Sequence, residues 1–394
     1  MSQLHRLRPE ALAAPESGIV AVMNYGRTLE GVIPLWTGEG DLPTPGFIAD
    51  AATASLAAGE TFYTWQRGIP ELRAAIARYT TNLYGRSVGA DRFFVTGSGM
   101  QAIQLSIAAL AGAGDEVVYI GPTWPNFAAA LGVIGAIPRE VALDWTAAGW
   151  TLDLDKLRAA IGPRTRGLFV NTPSNPTGWT ADTETLRAIL AIVRETGITL
   201  IADEIYARFH YPSAGEPAGR APSFHDVMEE DEPIFFVNSF SKNWAMTGWR
   251  VGWIEAPAAF GGVIENLIQY STSGVAAFMQ RGAVAALDEG EPFIASQVTR
   301  ARQARDILTD ALLATNRVSI VAPEGAFYSF FSIDGVTDTK AAAFAILDEA
   351  RVGLAPGTAF GPAATPFLRA CFHRRLDEVE MAADRLSDWI RRRA

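Results

Sequence analysis

The chain has 394 residues, of which 49% are hydrophobic, and its 43 acidic and 33 basic residues give a net charge of -10. This length and composition suit one large folded domain with a smaller companion, or two domains, and the acidic balance argues against a nucleic-acid partner. The single cysteine, Cys371, excludes an internal disulfide framework and is typical of a small buried side chain in a reducing compartment.

The amino terminus lacks the long apolar segment of a secretory signal, and no apolar run reaches the roughly 18 residues of a membrane span. We therefore expect a soluble cytoplasmic protein with no membrane partner. The four histidines do not have metal-ligand spacing, so the sequence predicts no metal site.

From about residue 92 the chain alternates between strand-like and helix-like segments. Helical patterns follow the first strands at residues 100–114, from residue 126, and at 182–197. Several strands are apolar on both faces, which predicts a mostly parallel sheet covered by helices on both sides. The predicted strands lie at residues 92–97, 116–121, 166–173, 198–206, 233–240 and 250–256.

The last third has a different pattern, in which a long charged helix at 296–314 precedes strands and a terminal helix. This pattern predicts a smaller α+β domain. The segment before about residue 45 is expected to join it. We therefore predict an N-terminal arm and part of the small domain at 1–45, a large domain at 46–295 and a small C-terminal domain at 296–394.

Polar or conformationally special residues follow five of the predicted strands. In open α/β sheets, ligands bind beyond the carboxyl ends of the strands, so we expect these residues to line one site. They lie at 96–99, 122–124, 171–178, 203–206 and 239–242.

The segment after the fifth strand has the residues that an anionic ligand would need. Ser239, Ser241 and Arg250 suit a phosphate dianion, and a helix start at Ser98 would add backbone amides, although such glycine-rich turns are often only turns. Lys242 is either part of a solvated loop or, in a desolvated pocket beside these groups, a nucleophilic amine.

Asp203 lies in an otherwise apolar strand, where a buried carboxylate requires a cationic partner. A structural salt bridge is the alternative interpretation. A reactive lysine, a phosphate site, a buried carboxylate and the aromatic ring of Trp124 together match the needs of pyridoxal phosphate. That cofactor requires a Schiff-base lysine and an aspartate at its ring nitrogen.

Four sequence segments resemble the motifs of one family, the class I/II aminotransferases, which are pyridoxal-phosphate enzymes of fold type I similar to aspartate aminotransferase. The resemblance runs from about residue 31 to the end of the chain. It implies an α/β fold whose large domain has a mostly parallel sheet flanked by helices, with a smaller α+β domain built from both chain ends. The segments are YTWQRGIPELRAAIA (63–77), NTPSNPTG (171–178), ADEIY (202–206) and SFSKNWAMTGWRVGW (239–253).

The resemblance also implies a role for each matching residue. Lys242 would form the Schiff base and transfer protons, Asp203 would pair with the ring nitrogen, and Trp124 would stack on the ring. Tyr206 and Asn175 would hydrogen-bond the phenolic oxygen of the cofactor. Its phosphate would be bound by Ser239, Ser241, Arg250, the backbone amides of Ser98, Gly99 and Met100, and Tyr63 of a neighbouring subunit.

The expected substrates follow from the same resemblance. Arg369 would bind the substrate α-carboxylate, with Asn175 and Gly38 beside it. The enzyme would move the amino group of an L-amino acid to a 2-oxo acid by a ping-pong mechanism. Because Tyr63 would reach a neighbouring active site, a homodimer with shared active sites is expected.

The choice of amino donor is less constrained by the sequence. Met100 stands where some relatives that favour acidic substrates have a lysine, and Trp65 and Trp124 could complete an apolar pocket, which favours neutral or apolar donors. Arg67 keeps an aspartate aminotransferase as an alternative. A second alternative is a lyase that catalyses β-elimination on the same scaffold. A transcription regulator with an aminotransferase-like domain is less well matched, because it would need a basic DNA-binding domain for which the chain has no spare length.

Overall fold

The fold was obtained as a computed structural model that describes residues 3–212 and 219–393. Its helices are α1 (Pro9–Leu12), α2 (Gly18–Gly26), α3 (Gly46–Ala57), α4 (Pro70–Tyr84), α5 (Gly99–Leu110), α6 (Asn126–Ile134), α7 (Leu154–Ala160), α8 (Thr183–Thr196), α9 (Phe240–Asn243), α10 (Gly261–Gln269), α11 (Ala277–Glu289), α12 (Glu291–Leu313), α13 (Thr339–Ala350) and α14 (Leu376–Arg392). Its strands are β1 (Ile33–Pro34), β2 (Phe93–Thr96), β3 (Glu116–Gly121), β4 (Ile137–Ala142), β5 (Asp144–Thr146), β6 (Gly149–Thr151), β7 (Thr165–Asn171), β8 (Thr199–Asp203), β9 (Ile234–Ser239), β10 (Gly252–Glu255), β11 (Val318–Ser319), β12 (Tyr328–Ile333), β13 (Val352–Gly353), β14 (Ala355–Pro356) and β15 (Phe367–Cys371).

A seven-stranded sheet in the order β2-β10-β9-β8-β7-β3-β4 forms the centre of the molecule. Strand β10 is antiparallel to both of its neighbours, and the other six strands share one direction. The predicted mostly parallel sheet is therefore confirmed. The sequence analysis did not predict strand β4, because its polar residues at the sheet edge lack the continuous apolar pattern of the buried strands.

Helices cover both faces of this sheet, which explains why its strands are apolar on both faces. Leu168 of β7 packs in one hydrophobic cluster with Leu190 of α8. The next residue, Phe169, points to the other face and stacks on Phe127 of α6 at a centroid distance of 3.8 Å. Burial of each such side chain contributes about 1.5–3 kcal/mol to the free energy of unfolding. Neighbouring residues of one strand therefore stabilise the helix layers on opposite faces of the sheet.

A second sheet has four antiparallel strands in the order β11-β12-β15-β14, and β1 pairs with β13 beside it. Its core contains residues from both chain ends, for example Val22 and Trp36 with Leu308 and Trp389. This agrees with a smaller α+β unit built from both ends of the chain.

The predicted domain boundaries remain a prediction. The proposed division between residues 295 and 296 falls inside α12, a continuous helix of 23 residues. The helix begins at Glu291 rather than 296, because Pro292 is favoured in a first helical turn, where its missing N–H costs no hydrogen bond.

No helix within residues 3–212 and 219–393 is long and apolar enough to cross a bilayer. The cytoplasmic location remains a prediction from the sequence.

Candidate active site

The carboxyl ends of β2, β3, β7, β8 and β9 meet at one edge of the central sheet, beside a cavity of about 450 Å³. Strand β10 runs in the opposite direction, so its first residues, rather than its last, reach the same edge. This brings Arg250 to the cavity. The predicted site residues that line the cavity are Gly38, Gly99, Met100, Trp124, Asn175, Asp203, Tyr206, Ser239, Ser241, Lys242, Arg250 and Arg369.

Lys242 lies on the short helix α9, directly after strand β9. Its Nζ donates a hydrogen bond to the backbone oxygen of Gly38 at 2.7 Å. The pKa of Lys242 is lowered to about 8, chiefly because burial disfavours the charged ammonium ion, and the nearby guanidinium groups of Arg369 and Arg250 act in the same direction. Near neutral pH this amine is therefore deprotonated far more often than that of an exposed lysine.

The chain has only three lysines, and the other two lie at the surface. Lys156 is about half exposed and pairs with Asp144 at 2.7 Å, and Lys340 is exposed at the start of α13. Lys242 is thus the lysine whose surroundings favour a reactive amine.

The start of helix α5 and the two serines form an anion-binding corner of the cavity. Ser98 caps α5 by accepting a hydrogen bond from Gln101 N at 3.0 Å, in a backbone conformation with φ of 146° that residues other than glycine rarely adopt. A Cβ at Gly99 would lie 3.3 Å from the Cβ of Ser239, so the helix amides and the serines are close together. The Oγ atoms of Ser239 and Ser241 are 2.9 Å apart. Helix amides and hydroxyl donors are the groups that bind phosphate.

Arg250 adds a cation to this corner. It donates to the Thr247 backbone oxygen at 2.6 Å and forms no ion pair with a carboxylate of the described residues. Its guanidinium is therefore available to an anionic ligand.

Asp203 ends strand β8 and is 3% exposed. One carboxylate oxygen accepts a hydrogen bond from Ile205 N at 3.3 Å, and no cation of the described residues forms an ion pair with it. Burial raises the pKa of Asp203 to about 7. The salt bridge considered from the sequence is thus not formed within the described chain, and a ligand with a cationic nitrogen would compensate this buried charge.

Arg369 is 2% exposed on strand β15. It donates to Asn175 Oδ1 at 2.9 Å and to the backbone oxygen of Trp36, and it lies over the ring of Tyr328. Its Nε has no hydrogen-bond partner among the residues that the structure describes. A buried guanidinium without a carboxylate partner is suited to bind the carboxylate of a ligand.

Tyr328 was not predicted as a residue of this site, and Asn171 was predicted only as part of the strand-end segment 171–178, without a role of its own. Tyr328 lines the cavity, and its hydroxyl lies 2.7 Å from that of Tyr206. Asn171 accepts from the backbone N–H of Asn175 at 2.8 Å and donates to the Asp203 backbone oxygen. The position of Asn171 at a strand end was the signal that predicted it, whereas Tyr328 lies within an aromatic strand and had no distinguishing signal.

Two predicted site residues and two considered for the substrate pocket do not line the cavity. Tyr63 is 94% exposed, and Ser98 contributes through its helix cap rather than through the cavity wall. Trp65 is 60% exposed, so within one chain it does not complete the apolar pocket with Trp124 and Met100. Arg67 forms an ion pair with Glu265 at 2.8 Å and is not among the described residues that line the cavity.

Comparison with known proteins identifies the family of the chain. Residues 30–386 match the family described as aminotransferase class I and II. The chain belongs to the class I and II aminotransferases. It is therefore a transaminase, and its fold is that of the aspartate-aminotransferase-like enzymes of fold type I.

Relatives of this aminotransferase differ in the substrates that they are named for. A probable aspartate/prephenate aminotransferase of Aquifex aeolicus is 34% identical, with 92% of this chain and 90% of the relative aligned. An alanine aminotransferase of Pyrococcus furiosus has 28% identity and a TM-score of 0.90, with 98% and 100% of the two chains covered. An aspartate aminotransferase of Thermus thermophilus, solved with maleate, has 31% identity and a TM-score of 0.88, with 97% and 99% covered.

Class I and II aminotransferases use pyridoxal phosphate, and the cavity of this enzyme fits that cofactor. A partly deprotonated lysine, an anion-binding corner and a buried carboxylate without a cation match its aldehyde, its phosphate and its ring nitrogen. No three histidine, cysteine, aspartate or glutamate side chains in the described ranges form a group that could hold a metal ion.

Proposed function

We propose that this transaminase moves the amino group of a neutral or apolar L-amino acid to a 2-oxo acid, with Lys242 as its reactive amine. One observation supports the site assignment most. The same cavity contains Lys242, whose pKa is lowered, and Asp203, a buried carboxylate that forms no ion pair with a cation of the described residues. When bound, pyridoxal phosphate supplies the electron sink for breaking the bond between the substrate Cα and its hydrogen.

The residues of the chain then have separate tasks. Lys242 Nζ would hold the cofactor covalently, and its free amine would accept and return the Cα proton, for which a pKa of about 8 is well matched to neutral pH. Asp203 would stabilise positive charge on the ring nitrogen from a buried position, where such electrostatic stabilisation is strong. Ser239, Ser241 and Arg250 would hold the phosphate, and Trp124, which lines the cavity, would lie against the ring.

Arg369 orients the substrate in this proposal, so its replacement by alanine should raise the KM for the amino acid by about 10²-fold or more. The reason is the loss of a bidentate pair of charge-assisted hydrogen bonds, each worth roughly 1.5–3 kcal/mol. Steady-state kinetics with a single donor measures the effect. Arg369→Lys keeps the charge without the planar fork and should recover only part of the affinity. A native KM in both variants would remove Arg369 from the substrate site.

The lining of the cavity supports neutral or apolar donors. Among the described lining residues the cations are Lys242, Arg250 and Arg369, each of which already has a task, so no further cation remains for a second substrate carboxylate. The apolar residues that line the same space include Ile19, Val20, Met23, Met100, Ile103 and Trp124. An alanine aminotransferase and aspartate aminotransferases are both among the similar proteins, so aspartate is the donor to test against.

A panel of amino acids mixed with the purified, cofactor-loaded enzyme should rank the donors directly. The loss of the visible absorbance in the first half-reaction should be faster with leucine, phenylalanine or alanine than with aspartate. The 2-oxo acid formed is measured in the same mixtures. A faster reaction with aspartate would refute the donor preference, and release of ammonia in place of an aminated cofactor would indicate β-elimination.

We also infer a homodimer. Four aromatic side chains are exposed near the point where the segment around Trp65 contacts Gly274. Their exposed fractions are 84% for Phe62, 94% for Tyr63, 60% for Trp65 and 88% for Tyr270. Aromatic side chains this exposed are typical of a protein interface, and a second copy would let Tyr63 reach the partner's phosphate. Sedimentation of a fully active monomer would contradict this inference.

A further inference from the structure

Helix α9, which carries Lys242, depends on another helix for its last hydrogen bond. A helix of four residues leaves its final carbonyl oxygens without partners inside the helix. Gln297 of α12, which is 1% exposed, donates its Nε2 to the backbone oxygen of Asn243 at 2.8 Å. The residue after Lys242 is therefore held by a side chain from a helix of the C-terminal third.

His373 fixes the orientation of this glutamine. Because the amide nitrogen of Gln297 is used for Asn243, its Oε1 must be the acceptor for His373 Nε2 at 3.0 Å, so Nε2 carries the proton. Burial lowers the pKa of His373 to about 3, which keeps the imidazole neutral. His373 lies just beyond strand β15, which carries Arg369.

Arg300, on the next turn of the same helix, binds the segment whose backbone accepts the hydrogen bond of the amine. It pairs with Asp41 at 2.5 Å, and both side chains are largely buried. Asp41 ends a segment, residues 36–41, whose backbone contacts two of the three cations of the cavity, Lys242 and Arg369. In this segment Gly38 accepts from Lys242, and Trp36 accepts from Arg369. A Cβ at Gly38 would lie 2.3 Å from the Tyr328 hydroxyl, so this segment has little freedom to move.

We propose that Gln297 and Arg300 are positioning residues for the reactive amine. They lie three residues apart on α12, so one rigid helix face contacts the backbone after Lys242 and the segment that accepts its hydrogen bond. A fixed amine meets the Cα proton in the productive geometry, and small displacements of a catalytic group lower the rate without weakening substrate binding. This inference rests on the proposed function, in which Lys242 is the proton carrier.

The test compares Gln297→Met and Arg300→Ala with two matched controls on exposed positions of the same helix, Gln303→Met and Arg302→Ala. Gln297→Met keeps the side-chain length while removing both hydrogen bonds, so kcat should fall by about five- to tenfold with the KM for the amino acid nearly unchanged. Gln297→Glu keeps the acceptor for His373 but loses the donor to Asn243, and it should be similarly slow.

A second readout does not use the loaded enzyme. Full-length protein without cofactor is treated with limiting acetic anhydride, and mass spectrometry gives the ratio of acetylation at Lys242 to that at Lys340. Arg300→Ala should raise this ratio about threefold or more, because the loss of one net hydrogen bond frees the segment that covers the amine. The two controls should match the native chain in both measurements.

The outcomes separate this inference from the proposed function. If Gln297→Met and Arg300→Ala only lower the melting temperature while kcat and the acetylation ratio stay native, their role is purely structural and the inference is wrong. If borohydride fails to fix the cofactor to Lys242 in the native enzyme, the proposed function fails instead.

Discussion

Replacing Lys242 by alanine should abolish the visible absorbance of the bound cofactor and lower turnover by about 10⁴-fold or more, because one amine is both the covalent attachment and the proton carrier. No nearby amine can replace it. The other two lysines are Lys156, paired with Asp144 at the surface, and Lys340, exposed on α13. Absorbance spectra and half-reaction rates with a good donor measure both effects.

Lys340→Ala is the matched control, since it removes an exposed lysine far from the cavity and should leave spectrum and rate native. Borohydride reduction of the loaded native enzyme, followed by peptide mass mapping, should place the cofactor on the peptide that contains Lys242. An unchanged spectrum in Lys242→Ala, or a tag on another lysine, would show that the cofactor is attached elsewhere.

Replacing Asp203 by asparagine should lower kcat by about 10³-fold, as expected for the loss of a charged, preorganised electrostatic contact in a water-poor site. The amide keeps the shape of the side chain and can still accept from Ile205 N, but it lacks the negative charge that holds a proton on the ring nitrogen. The cofactor should remain attached to Lys242, so the variant should still absorb in the visible range while reacting slowly.

Asp203→Glu is the control that keeps the charge, and it should retain more activity than the asparagine variant despite its longer side chain. Single-turnover rates with one donor, measured at equal cofactor occupancy, provide the comparison. Equal rates in Asp203→Asn and the native enzyme would mean that the carboxylate does not act on the ring nitrogen.

The large sheet could be predicted because its strands are continuous apolar runs that end in polar residues. Strand β3 and the first residue of α6 were predicted at the residues where the structure has them, Glu116–Gly121 and Asn126. The reversed direction of β10 could not be predicted, since direction within a sheet depends on which neighbours pair rather than on the composition of a strand.

The part of the site that follows strand ends could also be predicted, because parallel strands bring their carboxyl ends together. Arg369 lies within strand β15 of the other sheet, and only the family resemblance pointed to it. Tyr328 and Gln297 were missed because an aromatic residue in a strand and a glutamine in a helix carry no local signal of their partners. Tyr63 remains a prediction, because the contact expected of it lies in a second subunit.

The antiparallel pairing of β9 with β10 also determines how the site assembles during folding. Ser239, Ser241, Lys242 and Arg250 are brought together by a hairpin-like connection of about a dozen residues, whereas the contact between Arg369 and Asn175 joins residues 194 positions apart. Closing the longer loop costs about 2–3 kcal/mol more in chain entropy, which slows the formation of distant contacts. We therefore expect the backbone turn that carries Ser239, Ser241 and Arg250 to reach its native arrangement first. The contact of Lys242 with Gly38, which joins residues 204 positions apart, and that of Arg369 with Asn175 should form last.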